Sequence, residues 1–162
     1  MRVGLGFDVH RLEAGRRCVL GGVELPHPAG PVGHSDGDAV LHAVIDALTG
    51  AAGLADVGSL FPDDDERWKD ADSAALLTAV VGLAADEGWR VGNVDVVIAT
   101  EGPRIAPARD AMRARIAALL GIAADAVNVK GKTLEGLGAL AGGTGVAAQA
   151  ICLVTRVPAE PR

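Results

Sequence analysis

The chain has 162 residues, enough for one domain with a sizeable core and too few for two comfortable ones. Nearly half are apolar, but mainly Ala, Val and Leu, and the aromatics are limited to Phe7, Phe61, Trp68 and Trp89; small side chains bury little area each, so part of the stability is expected from burial between subunits. A net charge of −6 argues against nucleic acid as a partner, because phosphate backbones demand clustered Lys and Arg.

Residues 2–8 alternate, with Val3, Leu5 and Phe7 on one face and Gly4, Gly6 and Asp8 on the other, which predicts a strand with His10 just past its end. Cys18–Leu20 and Val23–Leu25 flank Gly21-Gly22 as a hairpin, and residues 26–33 read as a Pro/Gly loop. Ser35 opens a helix, with Asp38 three residues on in the position of a capping-box acid. Leu41, Val44, Ile45 and Leu48 form its buried stripe; Ser35, Asp38, His42, Asp46 and Thr49 fall on the other side, so His42 has a carboxylate one turn before it and one turn after.

Beyond the glycine-broken stretch 50–58, Phe61-Pro62-Asp63-Asp64-Asp65 reads as an acidic loop. A second helix is predicted from about Asp72 to Glu87, stopped by Gly88, then an apolar strand over 94–99. Residues 103–107 form a loop whose Pro107 suits the first turn of a third helix that ends at Gly121. Val127 and Val129 mark a strand, residues 131–145 a Gly-rich loop, and residues 146–157 the last strand. The layout predicts one α+β domain over residues 1–157, a mixed sheet with three helices packed on one face, and a C-terminal tail at 158–162. Cys18 and Cys152 show no CxxC or disulfide pattern and read as inert thiols of a reduced compartment. No signal-peptide pattern and no bilayer-length apolar run are seen, so a cytoplasmic protein without a membrane partner is expected.

Asp8, His10 and His42 offer one carboxylate and two imidazoles, a set that suits zinc with an open fourth position, if the strand end meets the helix in space and Asp38 or Asp46 orients the imidazole. The alternative is a surface Asp, a loop His and a helix His paired to a carboxylate. His34 and Ser35 stand where backbone N–H groups and a helix dipole favour phosphate, although Ser35 taken by itself reads more simply as a plain N-cap. Asp63-Asp64-Asp65 is a cation or hydroxyl site or, more simply, a solvated loop. Thr100-Glu101-Gly102-Pro103-Arg104 is placed to line a pocket, and Lys132-Thr133-Leu134-Glu135 supplies a cation, a hydroxyl and a carboxylate without the spacing of a P-loop. The residues by themselves reach metal-assisted chemistry on a small phosphorylated ligand.

Together these segments resemble the 2-C-methyl-D-erythritol 2,4-cyclodiphosphate synthase family of non-mevalonate isoprenoid biosynthesis. The resemblance rests on Gly6-Phe7-Asp8-Val9-His10, Gly33-His34-Ser35-Asp36-Gly37-Asp38 with His42, Asp46-Ala47-Leu48, Asp56-Val57-Gly58 and Phe61-Pro62-Asp63. It continues through Asp70-Ala71-Asp72-Ser73, Asn93-Val94-Asp95 and Asn128-Val129-Lys130, and so covers almost the whole chain. It implies a homotrimer with active sites between subunits, a metal-dependent phosphorus–oxygen lyase, and 4-diphosphocytidyl-2-C-methyl-D-erythritol 2-phosphate as substrate, closed to a cyclic diphosphate with release of CMP. It further implies zinc on Asp8, His10 and His42, and a second divalent ion, Mg2+ or Mn2+, on Glu135. His34 and Thr133 would stabilise the transition state and Ser35 would donate to phosphate. Asp56, Gly58 and Asp63 would contact the methylerythritol part, and Val57, Phe61, Pro62, Asp64 and Asp65 would also belong to the substrate site. Thr100, Glu101, Gly102, Pro103, Arg104, Ile105, Ala106, Lys132, Thr133, Leu134 and Glu135 of the adjoining subunit would enclose the cytidine diphosphate.

Two departures stand out. Lys132 replaces the first of two threonines, and the family's Gly-Phe-x-Gly-Arg-x-Glu-Gly stretch reads Gly138-Ala139-Leu140-Ala141-Gly142-Gly143-Thr144-Gly145. Without the arginine, isoprenoid diphosphate binding in a central trimer cavity is expected to be weak or absent. A zinc phosphohydrolase and a non-catalytic trimeric nucleotide-binding module are the competing readings.

Overall fold

The alternation in the first strand decides how sheet and helices meet. In the computed structural model, which describes residues 1–62 and 64–157, β1 runs Arg2–Ala14 and turns its glycines, not its large apolar side chains, toward α1 (Ala39–Ala52). A Cβ on Gly4 would lie 2.0 Å from the Ala47 carbonyl oxygen, so strand and helix touch backbone to backbone. The opposite face of β1 is left in the open: Val3 is 65 % and Phe7 58 % exposed, with Leu5 and Val9 beside them and Ile151 directly across from Leu5.

β2 (Cys18–Leu20) and β3 (Val23–Leu25) form the expected hairpin, a separate two-stranded sheet. β4 (Ala29–Pro31), inside the stretch expected to be loop, pairs antiparallel with the far end of β1. Two more helices follow, the single-turn α2 (Val57–Leu60) and α3 (Ser73–Asp86), and then β5 (Trp89–Thr100). A 3₁₀ turn at Ala106–Ala108 leads into α4 (Arg109–Leu120), which precedes β6 (Val127–Lys132) and β7 (Gly145–Arg156). The main sheet has the order β4-β1-β7-β5-β6; β5 and β6 are parallel and the other pairs antiparallel, so the sheet is mixed.

The α+β class and the three long helices agree with expectation; α2 is an addition. α1 packs on β1 and β7 and against α3, while α4 lies on β6 and touches α3. α1 is therefore buried nearly all round, including Asp38 at its cap, His42 and Thr49, rather than along one stripe. Cys18 and Cys152 are free and buried, and burial pushes their thiols up to about 11 and about 12, which leaves them inert at neutral pH. No helix among the described residues is long and apolar enough to cross a membrane. Asp63 and the tail 158–162 lie outside the described residues.

The start of α1 corrects the expected cap. Gly37 adopts φ +73°, which turns the chain between Ser35 and the helix, and the N-cap is Asp38. Its carboxylate accepts from Val40 N and Leu41 N, and also from Gly21 N and Gly22 N of the hairpin turn. A carboxylate has acceptor sites for all four, whereas a serine hydroxyl does not. Burial still pushes Asp38 up to about 6, against the pull of those N–H groups.

Candidate metal centre and substrate cavity

β1 does not end at Asp8; it continues past His10 to Ala14, so Asp8 and His10, two apart, project from the face that carries Gly4 and Gly6. The close approach of α1 over those glycines sets His42 above them. Asp8 Oδ2 lies 2.9 Å from His10 Nε2 and 2.9 Å from His42 Nδ1, and the two imidazole nitrogens are 3.3 Å apart. A tetrahedral ion with bonds of roughly 2.0–2.1 Å places its ligands about 3.3 Å apart, so the donor set fits such an ion.

Each imidazole is held from behind. The His10 Nδ1–H donates to the Val32 carbonyl at 2.6 Å, so that in the neutral imidazole it is Nε2 that faces the cluster with its lone pair. His42 Nε2 lies 3.0 Å from Ser73 Oγ and 3.1 Å from Ser35 Oγ. The two aspartates expected to orient His42 are engaged elsewhere: Asp38 holds the hairpin turn and its own helix, and Asp46 accepts from Val57 N at 2.9 Å. An i±4 spacing puts a carboxylate on the right side of the helix, but each of these carboxylates reaches backbone N–H groups first. Burial opposes charge on Asp8, yet the hydrogen bonds to His10 and His42 outweigh it and hold the carboxyl well below its usual range. Burial likewise opposes charge on His10, and Asp8 with the Val32 carbonyl outweighs it and raises the imidazole.

The cluster floors a cavity of about 360 Å³ lined also by Val32, Gly33, His34, Ser35, Val57, Gly58, Phe61, Trp68 and Leu76. His34 stands on its wall with Nε2 3.4 Å from the Asp65 carbonyl, and Phe61 meets Trp68 edge to face at 4.9 Å. Asp56 is not on the lining; it is exposed and caps α2 through Ser59 N. Pro62 and the exposed Asp64 are also off the lining, and Asp65 pairs with Arg67 at 2.5 Å.

A second cavity, about 410 Å³, shares no lining residue with the first. Thr100, Glu101, Pro103, Arg104, Ile105, Ala106, Pro107, Arg109, Gly131, Lys132 and Thr133 line it, so its wall carries three cations in an acidic protein. Beside it Thr133 Oγ1 donates to Glu135 Oε1 at 2.7 Å, and Glu101 Oε1 accepts from Leu134 N and Gly136 N. Gly102, Leu134 and Glu135 are off the lining itself. Within one chain, then, Asp8, His10, His34, Ser35 and His42 come together, while Thr133 lines the other cavity with Glu135 hydrogen-bonded beside it.

The YgbB family model matches residues 1–155. The chain belongs to the YgbB family. A YgbB-type relative, the 2-C-methyl-D-erythritol 2,4-cyclodiphosphate synthase of Dechloromonas aromatica, is 55 % identical over 156 residues, 96 % of this chain and 98 % of that one. The CDP-bound form of a solved 2C-methyl-D-erythritol-2,4-cyclodiphosphate synthase superposes with TM-score 0.88 at 38 % identity, covering 95 % of this chain and all of that one. The CDP complex of IspF from Plasmodium falciparum superposes with TM-score 0.84 at 30 % identity, covering 96 % of each chain.

Reasoning from the sequence missed Val32, Gly33, Trp68 and Leu76 on the cavity lining and Ser73 behind His42. Trp68 Nε1 is buried without a partner among the described residues, in a side chain that lines the cavity. The signal for Ser73 lay in the Asp70-Ala71-Asp72-Ser73 segment, which Asp70 at φ +56° and its N–H bond to the His34 carbonyl bring back toward the cavity.

Proposed function

We propose that this chain carries out the reaction for which its relatives are named, converting 4-diphosphocytidyl-2-C-methyl-D-erythritol 2-phosphate to the cyclic 2,4-diphosphate and CMP. The observation that carries the reading is the convergence of Asp8, His10 and His42 at the floor of a cavity in a chain that matches the family over residues 1–155. An oxygen of the substrate's 2-phosphate forms a bond to the β-phosphorus, and the bond from that phosphorus to the bridging oxygen breaks, so that CMP departs with the electron pair. Ring closure is intramolecular, so positioning supplies much of the acceleration and no protein nucleophile is needed.

Attacker and leaving group are both anionic. Zinc on Asp8, His10 and His42, with Mg2+ or Mn2+ on Glu135, would supply the positive charge that lets them meet in line. His34, on the cavity wall, would donate to the reacting phosphates, and Thr133 would do so from the second cavity by turning its hydroxyl away from Glu135. Ser35 sits at the rim, its Oγ already accepting from Gly37 N, and has its proton free for phosphate. Val57, Gly58 and Phe61 take the methylerythritol part from the cavity lining. Arg104 and Lys132, with the Thr100–Ala106 segment, receive the cytidine diphosphate.

The protein works as a homotrimer in this reading. Two features support it: the two half-sites share no lining residue in one chain, and the apolar face of β1 has nothing over it. The loop 138–145 carries no cation, so titration with farnesyl diphosphate is expected to give weak or no binding; tight, specific binding would overturn that part. The reaction itself is tested by phosphorus NMR of the products in zinc and magnesium. A cyclic diphosphate with CMP supports it, linear phosphates point to a phosphohydrolase, and binding without turnover to a nucleotide-binding module.

A further inference from the structure

Behind His42, on the side away from Asp8 and His10, three side chains form an unbroken line. Asp36 Oδ1 accepts the Ser73 hydroxyl at 2.5 Å, and Ser73 Oγ lies 3.0 Å from His42 Nε2. Ser73 has no exposed surface and Asp36 is half-buried. Asp36 is itself fixed, for Oδ2 accepts from Ser73 N at 3.2 Å, Oδ1 from Asp38 N at 3.1 Å, and its own N–H donates to the Ala71 carbonyl.

The direction of each hydrogen bond follows from what each group owns. A carboxylate has only acceptor sites, so the single hydroxyl proton of Ser73 is committed to Asp36. Ser73 Oγ then faces His42 with lone pairs alone, and the short contact is favourable only if Nε2 bears the imidazole proton. An imidazole protonated on Nδ1 alone would set the Nε2 lone pair against those of Ser73; Nδ1 itself, 2.9 Å from Asp8 Oδ2, is matched to that carboxylate by a second proton in the metal-free protein and by the metal when it is bound. Ser35 Oγ, 3.1 Å from the same nitrogen, does not choose between the two, because its own proton is free to rotate.

We propose that Asp36 and Ser73 form a positioning relay that fixes the proton of His42 on Nε2 and thereby presents Nδ1 to the metal. The relay rests on the metal-centre reading above. It is the counterpart of the Val32 carbonyl behind His10: one ligand is set by the chain after β4, the other by the first residue of α3. The three ligating side chains come from β1 and α1, but the polarity of both imidazoles is set by segments outside them. Neither Asp36 nor Ser73 touches the metal, so both are positioning residues.

Zinc affinity of the full-length protein, measured by competition with a chromophoric chelator, tests this. Ser73→Ala keeps the Ser73 N–H bond to Asp36, and so the anchoring of α3, while removing the hydroxyl. It is expected to weaken zinc by about 10- to 100-fold, as loss of a ligand-orienting partner does. Asp36→Asn is expected to fall in the same range, and the double variant to be no weaker than the weaker single, because both changes break one line. Nitrogen-15 NMR of the zinc-loaded wild type, which needs no variant to fold, is expected to show His42 bound through Nδ1 with a proton on Nε2. Zinc affinity within twofold of wild type in Ser73→Ala, or His42 bound through Nε2, would overturn the relay alone. A wild type that binds no zinc would overturn the metal reading and the relay with it.

Discussion

Gly6 of β1 and Ala43 of α1 meet backbone to backbone: a Cβ on Gly6 would lie 2.0 Å from the Ala43 carbonyl oxygen and 2.6 Å from Ala47 N. Those atoms belong to a helix ladder and have nowhere to move. The contact stands two residues before Asp8 on the strand and one residue after His42 on the helix, so it sets the distance between two metal ligands. Gly6→Ala must therefore push α1 off the sheet. Overpacking of this kind costs about 1–3 kcal/mol or more, and the expected outcome is a lower melting temperature together with loss of bound zinc. A variant that melts with the wild type and retains zinc would show the contact to be dispensable.

Asp8 and His10 give the metal-free protein and the metal complex opposite responses to pH. His10 is raised above its ordinary value of 6.5, so its contribution to stability is fully present below 6.5 and is lost as pH rises through the raised value. Asp8 is lowered from 3.8, so its contribution is present above 3.8 and is lost only as pH falls toward its much lower folded value. The pair thus stabilises the metal-free fold most between 3.8 and 6.5. Zinc requires His10 without its proton, so zinc affinity rises over the same interval in which that stabilisation falls. Urea melts of the metal-free protein and chelator competition, both run across pH 6 to 8.5 (about the span in which histidine titrates), are expected to slope in opposite directions. Parallel slopes would remove the Asp8–His10 pair from the account.

The exposed side of β1 yields a third expectation. Phe7 is 58 % exposed in the single chain, and Leu5 faces Ile151 across the strand pair on the same open surface. Phe7→Asp removes little packing within the chain, and the isolated subunit is expected to keep its secondary structure. In an assembly that covers this face it buries a charge without a partner, which is strongly unfavourable. Sedimentation is therefore expected to shift from the proposed trimer to monomer, with activity lost in step. An unchanged sedimentation coefficient would place the subunit contact elsewhere.

Much of the site was legible because ligand chemistry is local. Asp8 and His10 share a face by strand period, and His42 lies on a helix whose identity is plain from its apolar spacing. What surrounds them was not legible, because it depends on contacts across the chain. Ser35 looks like an N-cap until Gly37 turns the backbone and Asp38, with more acceptor sites, takes that role. Asp38 and Asp46 look like partners of His42 until the hairpin turn and α2 claim them. Ser73 reaches His42 across 31 residues, a distance at which no periodicity operates. The open apolar face of β1 inverts the usual rule that large side chains turn inward, and it does so because the glycines on the other face admit a helix backbone that no larger residue would.

Complementation between two inactive variants tests the division of labour between the cavities most directly. His42→Ala disables the first cavity and leaves Thr133 and Glu135 intact; Glu135→Ala does the reverse. Both side chains lie outside the open face of β1, so each variant alone is expected to assemble, and each is expected to be inactive. If one active site draws its first cavity from one subunit and its second from the neighbour, a mixed trimer contains interfaces where an intact first cavity meets an intact second cavity. With random assembly from an equal mixture, that pairing arises at about a quarter of interfaces, the chance that each of two adjoining subunits in a ring is of the required kind. Co-refolding the two variants is expected to restore about that fraction of wild-type turnover, while mixing them without exchange of subunits restores none. If each subunit instead carried a whole site, every site in the mixture would hold one lesion, and co-refolded activity would stay at the level of the separate variants.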